Sequence, residues 1–272
     1  MNPDDQPVFP DPFELPPPSP EFAVAPPPPP PKPWPAWGFL DLILLLVILV
    51  PIIFLAGGIV ISVAHAFPAF RHVSIKSLGE NAIVGIVVQA LCYLLWLCPV
   101  WLTVCFRSGE SFFPAIRWNW PRPRTLAIVM GIGVAVTLVL MLTSNFVPEP
   151  ENAPFEELFK DRKTAYALSL FGIFFAPFFE ELFFRGLLYP VLRRRLHMFV
   201  SVLITASLFG LLHAPEWNFA WGPVLIIFLV GVALTLVREL ANSLAASWLV
   251  HVIYNGLLMA IAIIATHGFT QH

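Results

Sequence analysis

The stretch APFFEELFFRGLLYP, residues 176–190, is an apolar run that contains Glu180, Glu181 and Arg185. At the centre of a bilayer each such charge costs about 2.5–3.5 kcal/mol on insertion scales, so in a membrane span the three must face protein or water. On a helix Glu181 and Arg185 are four residues apart and can pair along one face, whereas Glu180 is rotated by about 100° from Glu181. We therefore predict a supporting ion pair and a second carboxylate that is free to act.

Pro177 lies one turn before these carboxylates. A proline inside a helix has no N–H to donate to the carbonyl four residues earlier, here that of Ile173, and such a site often kinks. The sequence thus predicts a local opening of the helix, where a polar cavity can form.

The composition of the whole chain indicates a membrane protein. Of its residues 58% are hydrophobic and 12% are charged, against about 25% charged residues in ordinary soluble domains. Seven apolar windows approach the roughly 20 residues needed to cross the hydrocarbon core. They are residues 39–67, 82–106, 126–147, 165–188, 198–212, 222–237 and 244–265. We predict an all-α, polytopic transmembrane helical bundle of about seven spans.

The distribution of charged residues indicates which partners are excluded and how the protein is oriented in the membrane. A formal net charge of −2 leaves no electrostatic footprint for nucleic acid, which we exclude as a partner. Lys and Arg are more frequent in one set of loops, and the positive-inside rule then places the N-terminus in the cytoplasm. That set contains Lys32, Arg107, Arg117, Arg122, Arg124, Arg193, Arg194, Arg195 and Arg238.

Two later segments also hold polar residues at membrane depth. His213 ends an apolar window in SLFGLLHAP, on the same helical face as Phe209, while His251 and Asn255 are four residues apart in SWLVHVIYNG. At 1.5 Å per residue, Glu180, His213 and Asn255 each lie about 20 Å along a helix from one end of their spans. We expect these groups to meet in one layer of the membrane.

A carboxylate, two imidazoles and an amide support amide hydrolysis by two routes, which the residues leave open. Without a metal, Glu180 and His213 activate a water as general base, and His251 and Asn255 donate hydrogen bonds to the oxyanion. With a metal, His213, His251 and Glu180 bind Zn²⁺ or another divalent ion that activates the water. The metal signal is the weaker one, because the histidines stand on different spans and the chain contains no HExxH motif.

Together these residues resemble the motifs of a known family, the CPBP intramembrane proteases, in order and in their spacing over successive spans. The three motifs are EELFFR with Glu180, Glu181 and Arg185, FGLLH with Phe209 and His213, and HVIYN with His251 and Asn255. The family comprises CAAX prenyl endopeptidases, bacteriocin-processing or self-immunity proteins, and abortive-infection (Abi) proteins. The resemblance covers about residues 165–260.

The resemblance implies an intramembrane endopeptidase. Its active-site groups would be Glu180, His213, His251 and Asn255, with Glu181 and Arg185 in supporting positions. Members are generally named metalloproteases, although a metal-free, glutamate-dependent mechanism has been argued for the prenyl-protein enzymes. The implied partners are a peptide or protein substrate, prenylated in the CAAX case, and the lipid bilayer. Some members have an eighth span.

We accordingly predict a disordered proline-rich tail at 1–36, N-terminal transmembrane helices at 37–164 and a CPBP-like catalytic core at 165–266, in a multi-pass protein of the bacterial plasma membrane. Two other function classes stay open. A proton-coupled transporter also carries intramembrane Glu, Arg and His, although the paired broken helices of many transporters are not evident. A non-catalytic immunity or scaffold protein would retain the polar layer while only binding a peptide.

Overall fold

The computed structural model describes residues 34–148 and 161–269, so all but the last three residues of the predicted tail lie outside the described part of the chain. Every regular element in these two ranges is helical. Six helices are long and apolar enough to cross a membrane, a seventh apolar helix is shorter, and the same ranges hold no eighth of either kind. The predicted all-α bundle of about seven spans is confirmed, and the protein is an integral, multi-pass membrane protein. The predicted domain boundaries stay predictions.

We label the apolar helices α1 to α7 in chain order. They are α1 Phe39–Ala66, α2 Ala82–Ser108, α3 Pro123–Ser144, α4 Arg162–Arg193, α5 Met198–Leu212, α6 Trp221–Ala241 and α7 Leu244–Ala265. Short helices at Ile75–Gly79 and Phe112–Ala115 and a 3₁₀ turn at Ala214–Trp217 lie in the connections. The predicted windows match these bounds to within five residues. The largest difference is at the end of α4, where Tyr189–Arg193 continues the helix beyond the predicted window.

Side-chain caps begin the two helices that carry most of the predicted site residues. The Asp161 carboxylate accepts from the N–H of Thr164 at 2.8 Å at the start of α4. The Ser243 hydroxyl accepts from the N–H of Ala246 at 3.0 Å at the start of α7. Each cap satisfies an N–H that has no partner within its helix, so the first turns of both helices are well defined.

Helix α4 is the most enclosed of the long spans. Of its apolar window 39% is buried, against 11–33% in the other five. Around it α1 packs on α2, α3 on α7, and α5 on α6. The approach of α5 to α6 requires Gly231, because a Cβ on this residue would lie 3.1 Å from the Cα of Ala206. Small residues commonly permit such close contacts between membrane helices.

Candidate active site

The two adjacent glutamates occupy an irregular part of α4. Glu180 and Glu181 end a short α-helical segment, Ala176–Glu181, which lies between the π-helical segments Phe171–Phe175 and Leu182–Leu188. Insertions of π-helix inside α-helices are uncommon and occur frequently at functional sites. The irregular backbone therefore flanks Glu180 and Glu181, which the sequence analysis predicted as site residues.

The first π-helical segment leaves one carbonyl available to a side chain. The N–H of Ala176 donates to the carbonyl of Phe171, five residues earlier. The same spacing would pair the carbonyl of Gly172 with an N–H on Pro177, which proline lacks. The Gly172 carbonyl accepts instead from Asn255 Nδ2 at 2.8 Å. The opening predicted at the proline is present, but the carbonyl concerned lies five residues before it rather than four, because the turn is π-helical.

Glu181 and Arg185 form the predicted ion pair. Arg185 Nη1 donates to Glu181 Oε1 at 2.9 Å, and both side chains are 0% exposed. The guanidinium also donates through Nε to Thr235 Oγ1 at 3.2 Å and through Nη2 to the carbonyl of Gly231 at 3.1 Å. Both Thr235 and Gly231 lie on α6, so the pair ties α4 to α6 and satisfies the buried charge.

The Glu181 carboxylate also orients an imidazole of α7. His251 Nδ1 lies 3.0 Å from Glu181 Oε1, and the Ser247 hydroxyl contacts Glu181 Oε2. A carboxylate only accepts hydrogen bonds, so His251 Nδ1 carries the proton. His251 Nε2 is then directed toward Glu180, with its nitrogen 3.6 Å from Glu180 Oε2. Two carboxylates thus lie on opposite sides of one imidazole.

His213 follows the last residue of α5 and keeps one ring nitrogen for chemistry. Its Nδ1 lies 2.8 Å from the carbonyl of Phe209, which can only accept, so Nδ1 is the protonated nitrogen. In the neutral ring, Nε2 is then a free acceptor. The Phe209 ring centroid lies 4.8 Å from that of His213 and 5.9 Å from that of His251. The Phe209 ring therefore contacts both imidazoles and holds them apart.

The predicted groups surround one cavity of about 260 Å³. Its polar wall includes Glu180, His213, His251 and Asn255, together with Gln89, Ser169 and Glu216. The convergence expected from the spacing of the motifs is therefore found. Glu181 and Arg185 do not line the cavity but support the groups that do. The catalytic role of each residue stays a prediction.

The sequence reasoning missed several polar residues of the cavity wall, among them Gln89, Ser169 and Glu216. Gln89 interrupts an apolar window of α2, and that interruption was the available signal. Glu216 lies in the turn after α5, three residues beyond His213. Partial loss of hydration raises the pKa of Glu216 above its usual range although the residue is exposed, against a lowering effect of nearby His213 and with a further increase from Glu180. Glu216 therefore gives the cavity a carboxyl group that binds its proton more tightly than usual.

The fit to a metal ion is incomplete. His213 and His251 each donate through Nδ1 to an oxygen, as metal-bound histidines commonly do, and this leaves both Nε2 atoms available. However, no group of three or more His, Cys, Asp or Glu side chains suited to a metal occurs within residues 34–148 and 161–269. The predicted ligand set of His213, His251 and Glu180 is thus not preformed, and we derive no step through a metal.

A second space adjoins the cavity on the other side of Glu180. This apolar groove has a volume of about 430 Å³. Its walls come from α1, α2, α4 and α5 and consist of Phe39, Leu42, Ile43, Leu46, Leu49, Tyr93, Trp96, Phe179, Glu180, Phe183, Phe184, Leu188, Leu208 and Leu212. Glu180 lines both spaces, so a molecule lying in the groove would reach the polar cavity at this carboxylate.

Comparison with known proteins bears on the same part of the chain. Residues 162–257 match the family model described as type II CAAX prenyl endopeptidase Rce1-like. This segment begins at the first residue of α4 and includes every motif residue from Glu180 to Asn255. No curated protein and no solved structure matches the chain. Over residues 162–257 the chain is thus similar to the Rce1-like type II CAAX prenyl endopeptidases, which is consistent with the CPBP intramembrane proteases that its motifs resemble.

Proposed function

We propose that this protein is an intramembrane endopeptidase that hydrolyses a peptide bond of a CAAX-type prenylated protein, using a water activated by Glu180 and His213. One observation carries the proposal. Inside an apolar bundle, Glu180, His213, His251 and Asn255 line a single cavity, while the Glu181–Arg185 pair is fully buried beside it. Ionisable side chains are energetically costly inside a membrane, and they usually mark functional sites there.

Activation of the water requires two proton acceptors directed into the cavity. Glu180 supplies a carboxylate, and His213 supplies Nε2, because its Nδ1 proton is held by the carbonyl of Phe209. The water oxygen forms a bond to the substrate carbonyl carbon as one of its two protons passes to Glu180 or His213. When the C–N bond breaks, the same residue delivers this proton to the leaving amine nitrogen.

Stabilisation of the oxyanion falls to α7. The Nδ1 proton of His251 is held by Glu181, so Nε2 donates into the cavity when the ring is protonated on both nitrogens, as an imidazolium between the carboxylates of Glu181 and Glu180. Asn255 uses one N–H of its carboxamide for the Gly172 carbonyl and retains the second. Donors whose other bonds are already fixed need little reorganisation during the reaction, which is the basis of oxyanion stabilisation.

The apolar groove supports a prenylated substrate. Its volume of about 430 Å³ and its lining of aromatic and branched aliphatic side chains suit an isoprenoid chain. Because Glu180 lines both the groove and the cavity, a chain seated in the groove would bring the peptide attached to it to the candidate general base. Burial of this apolar surface contributes about 25 cal/mol per Å² to binding.

The experiment uses purified protein in detergent and a fluorogenic peptide that ends in a farnesylated cysteine followed by three residues. We expect cleavage of this peptide and none of its unprenylated counterpart at the same concentration. Binding without cleavage would favour the scaffold class, and substrate uptake into reconstituted vesicles without cleavage would favour a transporter. A chelator arm tests the metal alternative: activity that is lost and then restored by Zn²⁺ would contradict the metal-free route.

A further inference from the structure

The boundary between the groove and the cavity includes two residues of α2. Gln89 lines the catalytic cavity, and Tyr93 lines the apolar groove. They are four residues apart on one face of the helix, and Gln89 Nε2 donates to Tyr93 Oη at 3.2 Å. Both lie outside residues 162–257, which the family model matches. The N-terminal half of the chain therefore contributes two hydrogen-bonded polar residues, Gln89 and Tyr93, to the spaces that Glu180 lines.

Tyr93 is held by a row of aromatic rings on α4. Its ring stacks on Phe179 with the centroids 4.6 Å apart and the planes inclined by 18°. Phe171 and Phe175 also stack against it, at 6.2 and 6.4 Å. Phe179 immediately precedes Glu180 in the sequence. The position of Tyr93 Oη relative to this carboxylate is thus determined by packing, and Oη in turn orients the carboxamide of Gln89.

The hydrogen-bonding capacity of the pair exceeds what the two residues use on each other. The bond to Tyr93 takes one of the two N–H groups of Gln89, leaving the other N–H and the carboxamide oxygen. Tyr93 Oη accepts in that bond, so its own proton remains available to an acceptor. Such groups are costly at membrane depth unless they meet a polar partner. A peptide unit, with one N–H and one C=O, is complementary to them.

We propose that Gln89 and Tyr93 bind the main chain of the substrate where it passes from the apolar groove into the catalytic cavity. This inference rests on the proposed function, which makes the occupant of the two spaces a lipidated peptide. The pair acts as a positioning device: it holds the peptide unit beside the lipid-bearing residue in register with Glu180. It reads no side chain, so it tolerates variation in the residues that follow the lipidated one.

The test measures binding of the farnesylated peptide to the Glu180→Gln protein, in which cleavage does not obscure binding. We expect Gln89→Leu to weaken the Kd about five- to tenfold, the usual effect of losing one or two hydrogen bonds. Tyr93→Phe keeps the stacking on Phe179 and should weaken binding less. Because both changes disrupt one unit, the double variant should bind no more than about twofold more weakly than Gln89→Leu alone. Val87→Ala, at an exposed position of the same helix, is the control with unchanged Kd.

A second arm changes the ligand. Methylation of the amide nitrogen next to the farnesylated cysteine should weaken binding to the protein with Gln89 and have little effect with Leu at this position. Equal effects in the two proteins, or an unchanged Kd for Gln89→Leu, would overturn the inference. The inference would also be overturned if the Gln89→Leu protein were so destabilised, as its melting temperature would show, that unfolding accounted for all of the lost affinity. The proposed function fails separately, if the Glu180→Gln protein still cleaves the peptide.

Discussion

The Glu181 carboxylate lies 3.0 Å from His251 Nδ1 and 2.9 Å from Arg185 Nη1, and so joins the two most polar helices of the bundle. The Glu181 carboxylate does not line the cavity, whereas the neighbouring Glu180 does. Adjacent residues of one motif thus have different surroundings, because consecutive side chains of a helix point about 100° apart. The contrast leads to the first prediction.

Exchange of Glu181 for Gln should destabilise the protein far more than exchange of Glu180 for Gln. The first change leaves Arg185 buried without its counter-charge, and breaking a buried pair on one side costs about 3–5 kcal/mol. The second removes a group that faces a cavity. Thermal unfolding in detergent compares them, and similar melting temperatures for the two variants would contradict the assignment of Glu181 as the supporting residue.

Asn255→Asp should lower kcat by about 10²–10³ with little change in KM, the usual result of removing one oxyanion donor. The carboxylate has no N–H for the oxyanion or for the Gly172 carbonyl. Steady-state kinetics with the farnesylated peptide measures the effect. A variant that loses affinity while retaining kcat would show that Asn255 binds substrate instead.

Pro177→Ala introduces an N–H five residues after Gly172, where the π-helical spacing directs it to the carbonyl now bound by Asn255. We expect this competition to loosen the carboxamide and to lower kcat several-fold, while thermal stability stays equal or rises because the freed backbone bond is made. The same change in the Asn255→Asp protein should have no further effect on kcat. If the two substitutions lowered kcat additively, Pro177 would act independently of Asn255 and the prediction would be wrong.

Gly231→Ala should destabilise the contact between α5 and α6. A methyl group there would lie 3.2 Å from Phe209 Cδ1 and 3.1 Å from the Cα of Ala206. Overpacking of this kind costs about 1–3 kcal/mol, and displacement of Phe209 would move His213. Gly57→Ala is the matched control, because nothing lies within 4 Å of its added methyl. Melting temperatures and kcat should fall for the first variant only.

The pH dependence of stability should show a contribution from Glu216. Neighbouring protein atoms remove part of the hydration of this carboxyl and so raise its pKa in the folded protein, which means that folding favours its protonated form. The resulting stability is fully present below the ordinary pKa of about 4.3 and is lost as the pH rises through the raised value. Melting temperatures at a series of pH values measure this slope, and Glu216→Gln should reduce it. Glu80→Gln, at a position that does not line the cavity, should leave it unchanged.

The spans and the polar layer were accessible from the sequence because both follow from short-range pattern. Apolar length defines a span, and the four-residue spacing of Glu181 and Arg185, or of His251 and Asn255, defines a shared helical face. The Met198–Leu212 window was short on these criteria and still forms a helix, because it packs closely on α6.

The irregular parts of the site were not accessible in the same way. The π-helical segments depend on how α4 packs against its neighbours, and the α-helical assumption placed the freed carbonyl one residue too far along the chain. Gln89 and Glu216 reach the cavity only through tertiary arrangement, although a lone Gln in an apolar window was a usable signal. The groove beside Glu180 involves four helices, and no local pattern describes such a surface.

The central claim is that Glu180 is the base of a hydrolytic reaction. Its most direct test is the rate of cleavage of the farnesylated peptide by the intact protein and by its Glu180→Gln variant, at equal folded concentration. We expect the substitution to lower kcat by about 10²–10⁴, the range of general-base catalysis, while peptide binding and melting temperature are retained. Cleavage by the variant at the rate of the unmodified protein would contradict the account.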